Sequence, residues 1–196
     1  NESINISTDI KVKLIDKLSD CGFKTIETTA FVSPKWVPQM SDNNNVMSLI
    51  KRKKNVSYPV LTPNIKGLND AIKSQVDTVC VFTTASKTFS KKNTNTSIEQ
   101  ALKIAEDVAN KAIQKGLRVR GYISCVLGCP FEGNVKYNET ATLAKKLIDM
   151  GCYEISLGDT VGFGTPLEAV HMIEEVASLV PITKLAAHFH DTYGQA

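Results

Sequence analysis

Segments with helical spacing of apolar residues alternate with short β-branched runs from one end of the chain to the other. Thr8 or Asp9 can cap a helix bearing Ile10, Leu14, Ile15 and Leu18, and Cys21-Gly22 closes it. Lys24 to Glu27 reads as a strand, 46–53 as a helix, Ser57 to Leu61 as a strand before Pro63, and 64–73 as a helix. The run Thr78-Val79-Cys80-Val81-Phe82 comes next, then a long helix over 97–115 stopped by Gly116. Val119 to Ser124 is a strand, 138–150 a helix ended by Gly151, and Tyr153 to Leu157 a strand. A helix over 166–179 and a strand over Lys184 to His190 complete the series. Strict alternation on this scale demands parallel strands joined by crossover helices.

Two architectures satisfy that demand, an open doubly wound sheet and a (β/α)8 TIM barrel. Polar residues follow nearly every strand: Glu27-Thr28-Thr29, Thr62-Pro63-Asn64, Thr83-Thr84-Ala85-Ser86, Ser124-Cys125, Gly158-Asp159-Thr160 and His188-Phe189-His190-Asp191. A barrel gathers all its strand ends around one axis, whereas an open sheet concentrates function at a switch point, and no GxGxxG loop marks one here. The barrel is favoured. Eight strands need about 250 residues, so the 196 residues hold six of the eight. The expectation is one partial barrel domain over 1–196, an internal fragment lacking the first strand and the C-terminal end.

Lys and Arg total 23 against 20 Asp and Glu, a net charge of +3 too small and dispersed to argue for nucleic acid. The basic run Lys51-Arg52-Lys53-Lys54 reads as a solvated helix end. No apolar stretch approaches the roughly 20 residues of a membrane span, and Asn1 to Ser7 does not read as a signal peptide. Cys21, Cys80, Cys125, Cys129 and Cys152 are odd in number and lack a CxxC pair. They read as buried free thiols in a reducing compartment, and Cys125 and Cys129 as structural rather than nucleophilic.

The sharpest chemical feature is His188-Phe189-His190. On a strand, residues i and i+2 share a face, so both imidazoles project one way and Phe189 the other. That is the pattern of a metal-ligand pair for Zn, Mn, Fe or Co, with open positions that tolerate Mg. Two hydrogen-bonded interior histidines are the ordinary alternative, while His171 reads as a surface or packing residue. Glu27 and Asp159 lie at strand C-termini, where a carboxylate can ligate metal, hold a histidine or accept a proton. Asp159 is equally suited by spacing to cap the next helix, and its proximity to the histidines tips the reading toward catalysis. The loop from Phe31 to Met40, with two prolines and the only tryptophan, either walls a site or covers the core. Lys91-Lys92-Asn93 offers cations to a phosphate or to solvent alone.

The runs IETTAFVSPKWVPQM, YPVLTPNIKG, KKN, RGYISCVLGCPFEG, GCYEISLGDTVGFGTP and HFHDTYGQA span nearly the whole chain. Together they resemble the 3-hydroxy-3-methylglutaryl-CoA lyases. The wider group of metal-dependent aldolases and Claisen-condensing enzymes, including isopropylmalate and homocitrate synthases, shares the HxH element but not SPKWVPQM or GCPFEG. The resemblance implies a barrel that uses Mg or Mn to cleave 3-hydroxy-3-methylglutaryl-CoA to acetyl-CoA and acetoacetate, in leucine degradation and ketone-body formation. It implies metal ligation by His188 and His190, catalytic roles for His188, Glu27 and Asp159, and substrate contacts by Ser156 and Asn93. Ala30 stands where the family commonly has serine. An Arg-Asp motif would precede Asn1, and an asparagine ligand and a cysteine loop would follow Ala196, so the fragment alone is expected to be inactive. A CoA thioester is the implied substrate, and a homodimer one expectation for the full-length parent. The compartment would be the mitochondrial matrix in a eukaryote and the cytoplasm in a bacterium. A condensing synthase or aldolase, or a non-catalytic metal- or CoA-binding barrel, is the alternative.

Overall fold

Thr8–Asp20 forms the first helix, α1, and Gly22 takes the left-handed φ of +84° that lets the chain reverse after it. The computed structural model describes residues 4–194, so Gln195 and Ala196 of the final run lie outside the described residues. Its remaining helices are α2 (Asn43–Leu49), α3 (Ile65–Lys73), α4 (Lys87–Thr94), α5 (Ile98–Gln114), α6 (Tyr137–Asp149) and α7 (Pro166–Ala177). The strands are β1 (Thr29–Ala30), β2 (Val60–Leu61), β3 (Thr78–Thr84), β4 (Arg118–Ser124), β5 (Glu154–Asp159) and β6 (Leu185–Phe189), hydrogen-bonded in chain order. The chain divides into two compact units: residues up to 80 with 112–118, and 81–111 with the residues from 119 onward.

In the first unit β1 pairs in parallel with β2, and β2 with the start of β3, through Thr29↔Val60 and Val60↔Val79. The expected strand over 24–27 is displaced to Thr29–Ala30, with an isolated bridge at Thr25↔Ser57. Pro59 explains the break: without an N–H it cannot donate to the ladder, although Thr28 N–H still reaches its carbonyl at 3.1 Å. Ser19 of α1 and Tyr58 share a buried hydroxyl–hydroxyl hydrogen bond of 2.9 Å. Asn64 caps α3 by accepting from Gly67 N–H at 2.9 Å, and Leu68 and Ala71 of that helix are buried. Lys11 meets Asp42 at 2.7 Å, tying α1 to the end of the 31–42 loop.

In the second unit β4 pairs with β5 and β5 with β6, all parallel. Along β4, Val119, Gly121 and Ile123 are buried while Arg120, Tyr122 and Ser124 are half-buried, the alternation of a strand with one face under helices. A Cβ at Gly121 would lie 2.9 Å from Ile155 Cδ1 and 3.0 Å from Leu147 Cδ1, which shows how closely α6 lies on that face. Burying a side chain such as Leu147 contributes about 1.5–3 kcal/mol. Helix α7 opens with Pro166 and a reciprocal cap between Thr165 and Glu168. Helix α4 is absent from the sequence expectation because its eight residues carry one apolar side chain, Phe89; Ser86 starts it by accepting from Phe89 N–H at 3.0 Å.

Candidate functional site

Strand β6 ends at Phe189, and His188 and His190 stand on one face with ring centroids 5.3 Å apart and planes inclined at 72°. Both imidazoles are exposed. Register extends that face across the sheet. His188 lies beside Gly158, which lies beside Ser124; Ala186 lies beside Ser156, which lies beside Tyr122. Paired residues of neighbouring parallel strands point the same way, so Ser124, Tyr122, Ser156, His188 and His190 form a polar face. Toward the strand starts that face continues into Arg120, whose Nε donates to Glu154 Oε1 at 2.6 Å and whose guanidinium also reaches the Tyr122 hydroxyl at 3.0 Å. Ser156 is 4% exposed and the histidines are open, so the polarity runs from a covered floor to an accessible rim.

Asp159 is placed differently. It shares the parity of Ile155 and Leu157 and lies beside Phe189, on the face opposite the imidazoles. Buried to 2% exposure, it accepts from Gly162 N–H at 3.1 Å and Phe163 N–H at 3.2 Å through Oδ1, and from Gly164 N–H at 2.9 Å through Oδ2. A carboxylate holding three amides organises the loop between β5 and α7. It still borders, with Leu127, Phe189, His190 and Tyr193, a cleft of about 130 Å³. Asn93 is exposed on the last turn of α4, and Glu27 is exposed two residues before β1 in the first unit.

Two features without a signal in the sequence complete the site. Cys125, directly after β4, has φ +61°, an uncommon conformation for a side-chain-bearing residue, and its N–H donates to Thr160 Oγ1 at 2.8 Å. Burial pushes its thiol up to about 11, which disfavours a thiolate nucleophile. Cys129 is also buried, its sulfur 2.9 Å from the Ser86 hydroxyl. Thr192 is the second: its N–H donates to the His190 carbonyl at 2.9 Å and its hydroxyl to the Val161 carbonyl at 3.2 Å.

Two neighbouring imidazoles on one accessible face suit a divalent cation and would supply two members of its coordination shell. Among the described residues no group of three or more His, Cys, Asp or Glu is placed to hold a metal ion.

Parallel strands taken in chain order, helix crossovers between them and a polar face ending in paired imidazoles define a protein of the β/α-barrel class. The chain belongs to the HMGL-like family, whose model matches residues 1–196; the family is metal-dependent in general. It is 51% identical, over all 196 residues, to the cytoplasmic 3-hydroxy-3-methylglutaryl-CoA lyase of Danio rerio, spanning 58% of that protein. It is 50% identical over the same length to the mitochondrial hydroxymethylglutaryl-CoA lyase of Bos taurus, spanning 60% of it. The crystal structure of hydroxymethylglutaryl-CoA lyase from Pseudomonas aeruginosa superposes with a TM-score of 0.96 at 49% identity, over 99% of this chain and 65% of that one. The expected barrel class is thereby borne out, with six strands among the described residues. The chain thus spans about three-fifths of the curated relatives' length.

Proposed function

We propose that the protein containing this chain cleaves 3-hydroxy-3-methylglutaryl-CoA to acetyl-CoA and acetoacetate. The observation that carries the reading is the imidazole pair at the end of β6, set in a chain that matches the lyases along its whole length. His188 and His190 would hold the cation, Mg or Mn. Bound there, the metal would polarise the oxygen of the substrate's tertiary alcohol and ease loss of its proton.

The chain's own groups have separable tasks. His188, its backbone held in the ladder beside Gly158, presents its imidazole to the polar face, and the small neighbour leaves room for substrate next to it. Ser156, on the same face one turn of the pleat below, offers a hydroxyl to a substrate oxygen. Asp159 acts through the loop it folds around its carboxylate. Glu27 keeps its expected catalytic role and Asn93 its expected substrate contact, as proposals that Glu27→Gln and Asn93→Ala would test. A homodimer is proposed for the complete protein, checked by its mass in solution. The mitochondrial matrix or the bacterial cytoplasm is proposed as its compartment; among the described residues no helix is long and apolar enough to cross a membrane.

The deciding assay measures acetoacetate release from 3-hydroxy-3-methylglutaryl-CoA by the complete protein with added Mg or Mn, against condensation of a 2-oxo acid with acetyl-CoA. Release without condensation is expected; condensation alone would assign the protein to the synthases. His190→Ala should weaken metal binding at least about 10-fold, the scale seen even for groups that only orient ligands.

A further inference from the structure

The two imidazoles are not held alike. His188 lies inside β6, where Gly158↔His188 and its flanking pairs fix its backbone. His190 lies one residue past the strand, outside that ladder. What restrains it is one hydrogen bond on its carbonyl and a second made by the same donor residue. Thr192 N–H donates to His190 O at 2.9 Å, and the Thr192 hydroxyl donates to Val161 O at 3.2 Å. Val161 immediately precedes Gly162, whose N–H is bound by the Asp159 carboxylate at 3.1 Å. Gly162 has φ +66°, and a Cβ there would lie 1.8 Å from Thr192 Oγ1 and 2.8 Å from the His190 carbonyl oxygen. The loop after β5 and the turn after β6 therefore meet backbone to backbone, and the Thr192 hydroxyl is a side-chain group that joins them.

We propose that Thr192 is a positioning residue for the His190 imidazole: its hydroxyl ties the His190–Thr192 turn to the loop that Asp159 organises, and so sets the second ligand against the first. The proposal rests on the reading of His188 and His190 as metal ligands. A ligand on a free turn samples many orientations, and each must be given up when the ion binds, so loss of the tie lowers affinity without removing a donor. The hydroxyl is the acting group, because the methyl makes no part of either hydrogen bond.

The test is Mn²⁺ titration of the complete protein, followed by calorimetry and by the paramagnetic spectrum of the ion, for wild type, Thr192→Val, Thr192→Ser and His190→Ala, each with its thermal unfolding midpoint. Thr192→Val should weaken Mn²⁺ binding about 10-fold, the low end of the scale of lost ligand support, with an unchanged midpoint in the metal-free protein. Thr192→Ser should bind within about 2-fold of wild type, since it keeps the donor. Wild-type affinity in Thr192→Val while His190→Ala binds weakly would overturn the positioning role and leave the ligand reading standing. Unchanged binding in His190→Ala would overturn both, by way of the ligand reading. Equal losses in the Val and Ser variants would also reject the hydroxyl as the acting group. Should Thr192→Val fail to fold, Thr192→Ala carries the same comparison.

Discussion

Arg120 and Glu154 face each other in register across β4 and β5, Nε to Oε1 at 2.6 Å, with side chains 18% and 32% exposed. Neither charge is fully desolvated, so the pair lies between the surface and buried limits. A double-mutant cycle with Arg120→Met and Glu154→Gln should give a coupling of about 1–2 kcal/mol in urea unfolding. A coupling indistinguishable from zero would mean that the two groups are held in place by the strands and contribute nothing to their stability.

Asp159→Asn separates a chemical role from an architectural one. The amide has one acceptor oxygen where the carboxylate has two, and its NH₂ would face an N–H of the loop. Stability should fall by about 2–3 kcal/mol. Should turnover vanish while stability drops by less than about 1 kcal/mol, the carboxylate takes part in the reaction directly.

Acid should expose the tie between α1 and the 31–42 loop. Burial raises the Asp42 carboxyl, but the Lys11 ammonium and the Thr8 hydroxyl outweigh that and hold it below its ordinary value. A group lowered on folding stabilises above its unfolded pKa of about 3.9 and loses that contribution as pH falls through the folded value. The gap in unfolding midpoint between wild type and Asp42→Asn should be constant from pH 7 to about 5 and narrow below about 4. A gap independent of pH across that window would remove the ion pair from the account.

Thiol reactivity should follow burial. Cys21 is exposed, whereas Cys80, Cys125, Cys129 and Cys152 are buried, and burial pushes the Cys152 thiol up to about 12. Iodoacetamide at pH 8 should modify Cys21 in the native chain and all five cysteines after denaturation, as read by intact mass. Rapid native labelling of Cys125 would contradict its buried, high-pKa setting.

The helix and strand order is legible because the apolar spacing is regular, and the shared face of His188 and His190 because a strand's period is two whatever surrounds it. Helix α4 is not, since KTFSKKNT offers almost no periodic apolar signal and is started by the Ser86 cap. Glu27 reads in sequence as the end of a strand that Pro59 interrupts on the partner segment. The setting of Asp159 depends on where β5 ends: Leu157 looks terminal in sequence, but pairing continues to Asp159↔Phe189 and puts the carboxylate in line with the helix-facing residues. Its three N–H partners lie in a loop whose path is set by the Gly162 contact, a tertiary fact with no local signature. The coordination expected of two histidines is visible in the spacing; the unequal support of the two is not, because it hangs on a hydroxyl two residues away.

The alternation along β6 also separates two kinds of inheritance. His188 and His190 answer to whatever meets the polar face, while Phe189 answers to the layer on which it rests beside Asp159 and to the cleft it lines there. If the two imidazoles are ligands as proposed, the outer two of three consecutive codons are constrained by chemistry and the middle one by volume. A substitution at the middle position should therefore be tolerated only where the volume of its own layer is kept, whereas one at either flank should be felt at the polar face whatever its size.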